Sequence, residues 1–299
     1  MKLREKEMNS KSKILNFRDT IFKGIFAIAT TASILAVITI CWFIFSNAIP
    51  AINEIGLKEF ITGRNWKPTA ATPEFGIYPM IIGSIYVTLG AVLLGVPIGI
   101  LAAIFMSFYC PKKIYNGLQA GINLLAGIPS VVYGLWALYV IVPGIRDNFG
   151  GYGTSMLAVI ILLAIMILPT VISLSMAALQ AVLEEYYHGA VALGASHERA
   201  VFTVVLPAAN SGVLSAGIMG IGRAIGETMA VKMVAGNQPL LPESLTSGVR
   251  TLTTNIIMEM NYAEGLHEMS LIATGAVLFV FILILNTIFN ILKSRSEVR

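Results

Sequence analysis

Residues 183–236 read LEEYYHGAVALGASHERAVFTVVLPAANSGVLSAGIMGIGRAIGETMAVKMVAG, and the interpretation of the whole chain depends on this stretch. A charged segment at its start is followed by a long apolar run that contains Arg223 and Glu227. An ionisable side chain near the middle of a bilayer costs about 2.5 to 3.5 kcal/mol on insertion scales. Two such residues four positions apart therefore require a functional or a structural reason.

The composition is that of an integral membrane protein. Of the 299 residues, 56% are hydrophobic and 12% are charged, and the mean hydropathy is +0.80. Ordinary soluble domains carry about 25% charged residues. Six uncharged runs each exceed the roughly 20 residues that a helix needs to cross about 30 Å of hydrocarbon. They lie at 24–53, 75–111, 114–145, 148–183, 200–222 and 269–292. The sequence therefore predicts an all-α protein with six transmembrane helices.

The distribution of Lys and Arg predicts how the chain is oriented. One side of the predicted bundle carries 13 of these residues and the other carries 5, with Arg223 and Lys232 inside the fifth span. The side richer in Lys and Arg faces the cytoplasm, so both termini are predicted to be cytoplasmic. The basic residues are spread over short loops and form no stripe, which argues against a nucleic-acid partner.

Together with the predicted spans, this orientation divides the chain into five segments. The segments are a cytoplasmic basic tail (1–23), a first transmembrane helix (24–48), an extracytoplasmic loop (49–77), a five-helix core (78–292) and a cytoplasmic tail (293–299). Within the core, residues 183–207 form a cytoplasmic loop and residues 237–269 an extracytoplasmic loop. Trp66 is expected at the outer membrane interface, where amphipathic rings settle.

Glycines and prolines predict which helices pack closely. The second span, 78–108, has glycines at 83, 90, 95 and 99, which favours a place in the bundle interior. The third span, 118–142, contains Pro129 near its middle. Ser130 and Tyr133 either satisfy the carbonyl that this proline leaves free or line a substrate path. In the fifth span, Gly222 and Gly226 are expected to bring another helix close.

The charged segment resembles a known motif, the EAA loop of ABC importer permeases. That loop reads Glu-Ala-Ala-x-x-x-Gly, with Leu-Pro thirteen positions after the glycine, and in the family it docks into a groove of the ATPase subunit. His188 and Gly189 stand where Glu and the first Ala are usual. The positions that match are Ala190, Gly194, Ala195 and Pro207. The resemblance implies that these four residues, together with Glu185 and His188, contact an ATPase.

The segment from Gly222 to Val231 resembles the fifth-helix signature of phosphate-specific ABC permeases of the Pst type. Together with Gly127 to Gly134 and with residues 60–77, it is closer to the C-type subunit than to the A-type subunit. The resemblance covers roughly residues 60–236. It implies the fold of a type I ABC importer permease, in a bacterial or archaeal cytoplasmic membrane.

The resemblance also implies the partners. They are a second, homologous permease subunit, two ATPase subunits, an extracytoplasmic phosphate-binding protein and the surrounding lipid. This chain needs no cofactor of its own, because ATP and Mg²⁺ belong to the partner ATPase. No Gly is followed by Lys, so a Walker A loop is absent from the sequence. His267 has no second His or Cys at ligand spacing, so no metal site is predicted.

Arg223 and Glu227 are the candidate substrate residues, with Thr228, Ser130 and Tyr133 along the same pathway. The guanidinium is a planar, permanently charged fork that binds two phosphate oxygens. On a continuous helix Glu227 would lie one turn away and neutralise Arg223 between substrates. Its carboxylate would also accept the proton of hydrogen phosphate and repel fully ionised sulfate.

Three alternatives remain open from the sequence. In the first, the cargo is another oxyanion, such as molybdate or sulfate. In the second, the chain is an ion-coupled secondary transporter, which predicts inverted repeats that the sequence does not show. In the third, Arg223 and Glu227 only brace helices in a scaffold that transports nothing.

Overall fold

The computed structural model describes the backbone of residues 2–297 and the side chains of residues 21–291. The structure is almost entirely helical. The helices are α1 (Lys2–Ile55), α2 (Leu57–Thr62), α3 (Tyr78–Ile104), α4 (Lys112–Gly127), α5 (Ser130–Phe149), α6 (Met156–Gln180), α7 (Glu184–Ala192), α8 (His197–Ala200), α9 (Leu206–Ala208), α10 (Asn210–Gly226), α11 (Met229–Val234), α12 (Leu252–Glu259) and α13 (Leu266–Glu297). Strands β1 (Trp66–Lys67) and β2 (Glu74–Phe75) form an antiparallel hairpin. Most of the two predicted tails lies outside the described side chains.

Four unbroken helices are long and apolar enough to cross a membrane. They are α1 from Ile21 onward, α3 with the π-helical turn that follows it to Tyr109, α6, and α13 up to Ile291. Two further apolar segments are bent pairs. Helices α4 and α5 meet at 100°, and the segment His197–Ala208 meets α10 at 71°. Within the described residues, the chain therefore has four candidate spans, or up to six if each bent pair crosses once.

The predicted third and fifth spans are thus not single straight helices. At the first break, Ile128 has extended backbone angles (φ −68°, ψ 127°) and Pro129 follows it. Proline has no N–H to continue the helical hydrogen bonds, and it disfavours helical angles in the residue before it. The chain therefore ends α4 and starts α5 in a new direction.

Helix α6 lies at the centre of the bundle and α3 packs along it. A Cβ atom added at Gly90 would approach Ile160 to less than 3.0 Å, and one added at Gly95 would approach Ile167 to the same extent. A Cβ atom added at Gly99 would likewise approach the Val171 side chain to less than 3.0 Å. Glycine at these positions lets the two helix backbones approach closely. The close packing that these glycines predict is confirmed on the face toward α6, whereas the opposite face of α3 is exposed, with Leu93 at 73%.

The predicted contact at Gly222 and Gly226 is wrong for this chain. A Cβ atom added at either residue would meet no atom within 4 Å. Helix α10 instead packs against α6 through Gly220, whose added Cβ would lie 3.0 Å from Val171 Cγ2. The reason is the helical period: Gly220 lies on the α6 side of α10, whereas Gly222 lies on the open side.

The start of α6 is capped by the segment that connects α11 to α12. The backbone N–H groups of Ser155, Met156 and Leu157 donate to carbonyl groups of that segment or of the end of α11, at 2.8 to 2.9 Å. The Ser155 hydroxyl accepts from the N–H of Ala158. Free N–H groups in the first turn of a helix need such partners when they are buried. The connecting segment is therefore part of the folded core.

Candidate functional site

Arg223 lies in the last turn of α10 and is half-buried. Its Nη1 atom donates a hydrogen bond of 2.9 Å to Oγ1 of Thr170 on α6. Among the side chains of residues 21–291, the ion pairs are Arg146–Asp147, Arg250–Glu259 and His267–Glu259, so Arg223 has no carboxylate partner there. A half-buried guanidinium without a counter-ion remains available to a mobile anion.

Glu227 is not one helical turn from Arg223, because α10 ends at Gly226 and Glu227 has extended backbone angles (φ −69°, ψ 128°). Its Oε1 atom accepts hydrogen bonds from the backbone N–H groups of Thr228 and Ala230, each at 3.2 Å. The predicted ion pair is therefore wrong. The reason is a competition between structures: several glycines weaken α10, each by about 1 kcal/mol relative to alanine, and a carboxylate is favoured at the start of the next helix.

Thr228 completes the break between α10 and α11. Its hydroxyl donates to the carbonyl of Gly226 at 3.1 Å, and its own carbonyl accepts from the N–H of Lys232. The carbonyl of Glu227 accepts a hydrogen bond of 3.2 Å from the hydroxyl of Thr253 on α12. The backbone at the break is thus held from both sides.

Tyr133 and Ser130 lie at the start of α5, beside this break. The buried Tyr133 donates from its hydroxyl to the carbonyl of Leu125 at 2.8 Å, across the bend between α4 and α5. Leu125 lies four residues before Pro129, so Tyr133 satisfies the carbonyl that the proline leaves free, which is the first of the two predicted roles. Ser130 is half-buried and begins α5. A Cβ atom at Gly134 would lie 2.9 Å from Cα of Ala230, so α5 packs closely on α11.

The structure therefore gathers most of the predicted pathway residues around one place, the break between α10 and α11. Tyr133 and Ala224, the neighbour of Arg223, share one hydrophobic cluster. Tyr133 is also within electrostatic range of the Arg223 guanidinium. Open backbone within a bundle of apolar helices is tolerated where it lines a cavity or is buried in protein.

The segment of α7, α8 and the turn between them, called the α7–α8 loop below, lies beyond the C-terminal end of α6. The N–H of Ala195 donates to the carbonyl of Ala190 and the N–H of Gly194 to that of Val191. Gly194 has φ +90°. This pair of hydrogen bonds around a left-handed residue is a Schellman motif, which glycine favours because it has no Cβ. Gly194 therefore allows the sharp turn between α7 and α8.

Aromatic contacts hold α7 and α8 together behind the turn. The Tyr187 hydroxyl and His197 Nδ1 are 2.8 Å apart, and the ring of Tyr109 lies 4.8 Å from that of His197. Hydrogen bonds from the backbone N–H of Glu198 and from the Ser196 hydroxyl lower the pKa of the Glu198 carboxyl. This favours the charged form at the start of α8, where a negative charge suits the helix dipole.

The loop presents apolar and charged side chains outward. Leu193 at its tip is 92% exposed. Of the predicted ATPase-coupling residues, Ala190 and Ala195 are half-buried. The exposed ones are Glu185, His188, Gly194 and Pro207. The α7–α8 loop thus exposes both an apolar side chain, Leu193, and charged ones, Glu184 and Glu185.

A buried polar cluster, called the Glu259 cluster below, occupies the end of the bundle that carries the β-hairpin and α12. Glu259 accepts hydrogen bonds from Arg250 Nη1 (2.6 Å) and from Trp66 Nε1 (2.8 Å), and its Oε2 lies 2.9 Å from His267 Nε2. Arg250 also donates to Asn255 at 3.1 Å. The Trp66 ring is 5% exposed and packs inside the protein, where its N–H binds this carboxylate, while its predicted depth at the membrane interface stays a prediction.

Sequence reasoning missed Thr170 and the Glu259 cluster. The signal for Thr170 is that it is the first polar side chain after Ser155 in α6. Asn255 and Glu259 lie one turn apart on α12 with Arg250 shortly before them, whereas Trp66 joins the cluster from a distant part of the chain that no local pattern connects to it. His267, which is isolated in sequence, gains its partner only through folding.

Comparisons with known proteins agree with this architecture. The family model described as "Binding-protein-dependent transport system inner membrane component" matches residues 95–298. The probable ABC transporter permease protein YqgH of Bacillus subtilis is 39% identical over 83% of this chain and 81% of its own length. The phosphate transport system permease protein PstC of Mesorhizobium japonicum is 31% identical over 86% of this chain and 84% of its own length. A probable phosphate transport system permease protein PstC of Methanocaldococcus jannaschii is 33% identical over 88% of this chain and 91% of its own length.

Solved structures support the fold. A chain of the MetNI methionine ABC transporter in an inward-facing conformation superposes with a TM-score of 0.60, at 17% identity, and covers 74% of this chain and 95% of the other. At this identity the likeness concerns the fold alone. The matched family model and the sequence relatives go further: this chain belongs to the binding-protein-dependent transport system inner membrane components, and within them to the Pst-type permeases of ABC transporters.

Proposed function

We propose that this chain is a membrane-spanning subunit of an ATP-driven importer and that it moves inorganic phosphate into the cytoplasm. The observation that carries the proposal is Arg223, a half-buried guanidinium with no carboxylate partner among the described side chains, next to a helix break inside an apolar bundle. A planar, permanently charged fork suits the oxygens of phosphate. Two relatives of this chain are named as PstC permeases of phosphate transport systems, which indicates the same cargo. Permease subunits are not enzymes themselves.

The proposed topology has six spans with both termini in the cytoplasm of a bacterium or archaeon. It counts each bent pair of helices as one crossing, and it takes the orientation from the Lys and Arg distribution. The α7–α8 loop then faces the cytoplasm, and the Glu259 cluster faces the outside. Residues 1–23 and 293–299 are cytoplasmic tails in this topology.

The α7–α8 loop is proposed to receive the ATPase subunit, with ATP and Mg²⁺ bound on that partner. The exposed Leu193 and the exposed Glu184 and Glu185 support this role, since they are accessible to a partner while the Tyr187–His197 contact joins α7 to α8. The complex would further contain a second, homologous permease, a second ATPase subunit and an extracytoplasmic phosphate-binding protein. ATP-driven closure of the ATPases would move the loop and open the break between α10 and α11 to the outside.

The turn at Gly194 provides a test of this coupling. Gly194→Ala places a Cβ on a residue with φ +90°, which costs about 1 kcal/mol and shifts the angle between α7 and α8. We expect ATP-driven uptake and co-purification of the ATPase subunit to fall severalfold. Gly189→Ala is the matched control, because Gly189 lies in α7, an added Cβ meets no atom within 4 Å, and no positive φ is required. Equal behaviour of the two variants would contradict the proposed coupling role of the turn.

Glu227 is proposed to select hydrogen phosphate over sulfate. Its Oε1 atom caps α11, while the carboxylate as a whole places a negative charge beside the path of the anion. Hydrogen phosphate can donate its proton to a carboxylate, whereas sulfate at neutral pH has none to donate. Repulsion between like charges then adds to the discrimination.

Glu227→Gln tests this selection, because glutamine keeps an oxygen acceptor for the cap and loses the charge. We expect assembly to persist and sulfate to compete about tenfold more strongly for phosphate uptake, which corresponds to about 1.4 kcal/mol. Glu264→Gln, at an exposed position between α12 and α13, is the control. In this variant sulfate should compete with phosphate uptake as weakly as it does in the unmodified protein. Unchanged discrimination in Glu227→Gln would show that the carboxylate acts only as a cap.

The proposal as a whole is tested by reconstituting the complete complex in vesicles. Uptake of radiolabelled phosphate should require ATP on the ATPase side and should be competed poorly by sulfate and molybdate. Uptake that is driven by an ion gradient without ATP would overturn the proposal in favour of a secondary transporter. Stronger transport of molybdate or sulfate would keep the class of protein and change its cargo.

A further inference from the structure

The hydroxyl of Thr170 differs from most hydroxyls of helical threonines in this chain. The hydroxyls of Thr31, Thr39, Thr62, Thr203, Thr274 and Thr287 each donate to the carbonyl four residues earlier. This bond is the usual partner of a threonine hydroxyl in an apolar helix. Thr170 makes no such bond. Its Oγ1 atom accepts from Arg223 Nη1 at 2.9 Å, and no group among the described residues accepts its proton.

The position of Thr170 follows from the packing of α6 against α10. A Cβ at Gly220 would lie 3.0 Å from Val171 Cγ2, so the two helices approach closely one residue away from Thr170. Arg223 lies one turn after Gly220 on α10 and reaches across to the hydroxyl. Thr170 is itself half-buried, as Arg223 is.

The pair has the chemistry of a small anion site. A hydroxyl that accepts from a guanidinium keeps its own proton free and polarised, because hydrogen bonds in a chain strengthen one another. The bond also fixes the orientation of the guanidinium plane about its long side chain. A fork that is held in place before the anion arrives loses less conformational entropy on binding. The remaining guanidinium N–H groups and the hydroxyl proton are then three or more donors for one tetrahedral oxyanion.

We propose that Thr170 is the second member of the oxyanion site, holding Arg223 in orientation and donating its hydroxyl proton to an oxygen of the bound anion. This inference rests on the proposed function, in which Arg223 contacts phosphate. It assigns substrate contact to α6, the central helix, in addition to α10. The anion is bound between two helices whose separation changes if α10 moves relative to α6, so affinity and conformation are linked through this pair.

Thr170→Val and Thr170→Ser in the complete, reconstituted complex provide the test. Valine has nearly the same shape as threonine and no hydroxyl, whereas serine keeps the hydroxyl. We expect Thr170→Val to raise the KM for phosphate uptake about tenfold or more, which is the size of a lost hydrogen bond to a charged group. Thr170→Ser should restore KM to within about threefold of the unmodified protein. Thr287→Val, at a hydroxyl that donates to a helix carbonyl, is the matched control and should leave KM unchanged.

The outcomes separate this inference from the function on which it rests. An unchanged KM in Thr170→Val would overturn the inference, as would equal losses in Thr170→Val and Thr170→Ser, because a purely structural role does not depend on the hydroxyl. If Arg223→Ala abolishes uptake while Thr170→Val behaves as the unmodified protein, only this inference fails. If Arg223→Ala retains full phosphate uptake, the assignment of Arg223 to phosphate fails and this inference fails with it, whereas uptake that needs no ATP would overturn the proposed function itself.

Discussion

Replacement of Arg223 by alanine is expected to lower ATP-driven phosphate uptake about a hundredfold or more while the complex still assembles. The reason is that a fork of charge-assisted hydrogen bonds to the anion is lost, and each such bond contributes about 1.5 to 3 kcal/mol. Assembly should persist because Arg223 has no carboxylate partner among the described side chains, so its removal leaves no unpaired buried charge behind. Initial uptake rates per assembled complex, with assembly followed by co-purification, provide the measurement.

Arg223→Lys distinguishes a fork from a point charge. Lysine keeps the charge but offers no planar pair of donors, so we expect partial uptake with a raised KM. Arg146→Ala is the matched control for the loss of a guanidinium, since Arg146 is 57% exposed and pairs with the exposed Asp147. It should transport as the unmodified protein does. Failure of Arg223→Ala to assemble, with normal uptake in the complexes that do form, would assign the residue to helix bracing instead of substrate contact.

Replacement of Glu259 by alanine is expected to produce the largest loss of stability. Glu259 and Arg250 side chains are each 10% exposed, and the carboxylate also accepts from Trp66 and contacts His267. Removing one partner of a buried ion pair leaves the other charge without compensation, which costs about 3 to 5 kcal/mol. Thermal unfolding of the purified protein in detergent should show Tm lowered on the order of 10 °C.

Glu268→Ala is the control for this variant. It removes the same side chain at an exposed position, next to His267 in the sequence, and surface changes of this kind usually alter stability by less than about 0.5 kcal/mol. Equal Tm values for Glu259→Ala and Glu268→Ala would mean that the Glu259 cluster adds nothing to stability. A lowered Tm with normal uptake in the folded fraction would mark the cluster as a structural element only.

The Glu259 cluster also connects to the candidate site through α12. Helix α12 carries Glu259 at its end and Thr253 near its start, and Thr253 donates to the carbonyl of Glu227. The backbone N–H of Leu252 donates to the Ser84 hydroxyl on α3. Helix α12, which carries the buried Glu259 carboxylate, therefore also holds the backbone at the break between α10 and α11.

Much of the architecture was predictable from the sequence because it depends on one-dimensional properties of the chain. The length and polarity of the apolar runs predict helices that can span a membrane, and four of these are unbroken in the structure. The glycines of α3 predict close packing, since absence of a side chain has the same consequence wherever the helix lies. Gly194 predicts a turn for an equally local reason. Arg223 stands out because a charge in an apolar run is costly in any fold.

The sequence by itself thus determined the membrane class, most helices and the residue proposed to bind the anion. Only the tertiary structure decided the partners of that residue. Local spacing paired Arg223 with Glu227, but the helix ends at Gly226, and Glu227 satisfies backbone N–H groups of the next helix instead. Arg223 then contacts Thr170 on another helix, which no sequence period indicates. A side chain's hydrogen-bond partner depends on where helices end and cross, and these are settled by competition among caps, breaks and packing over the whole chain.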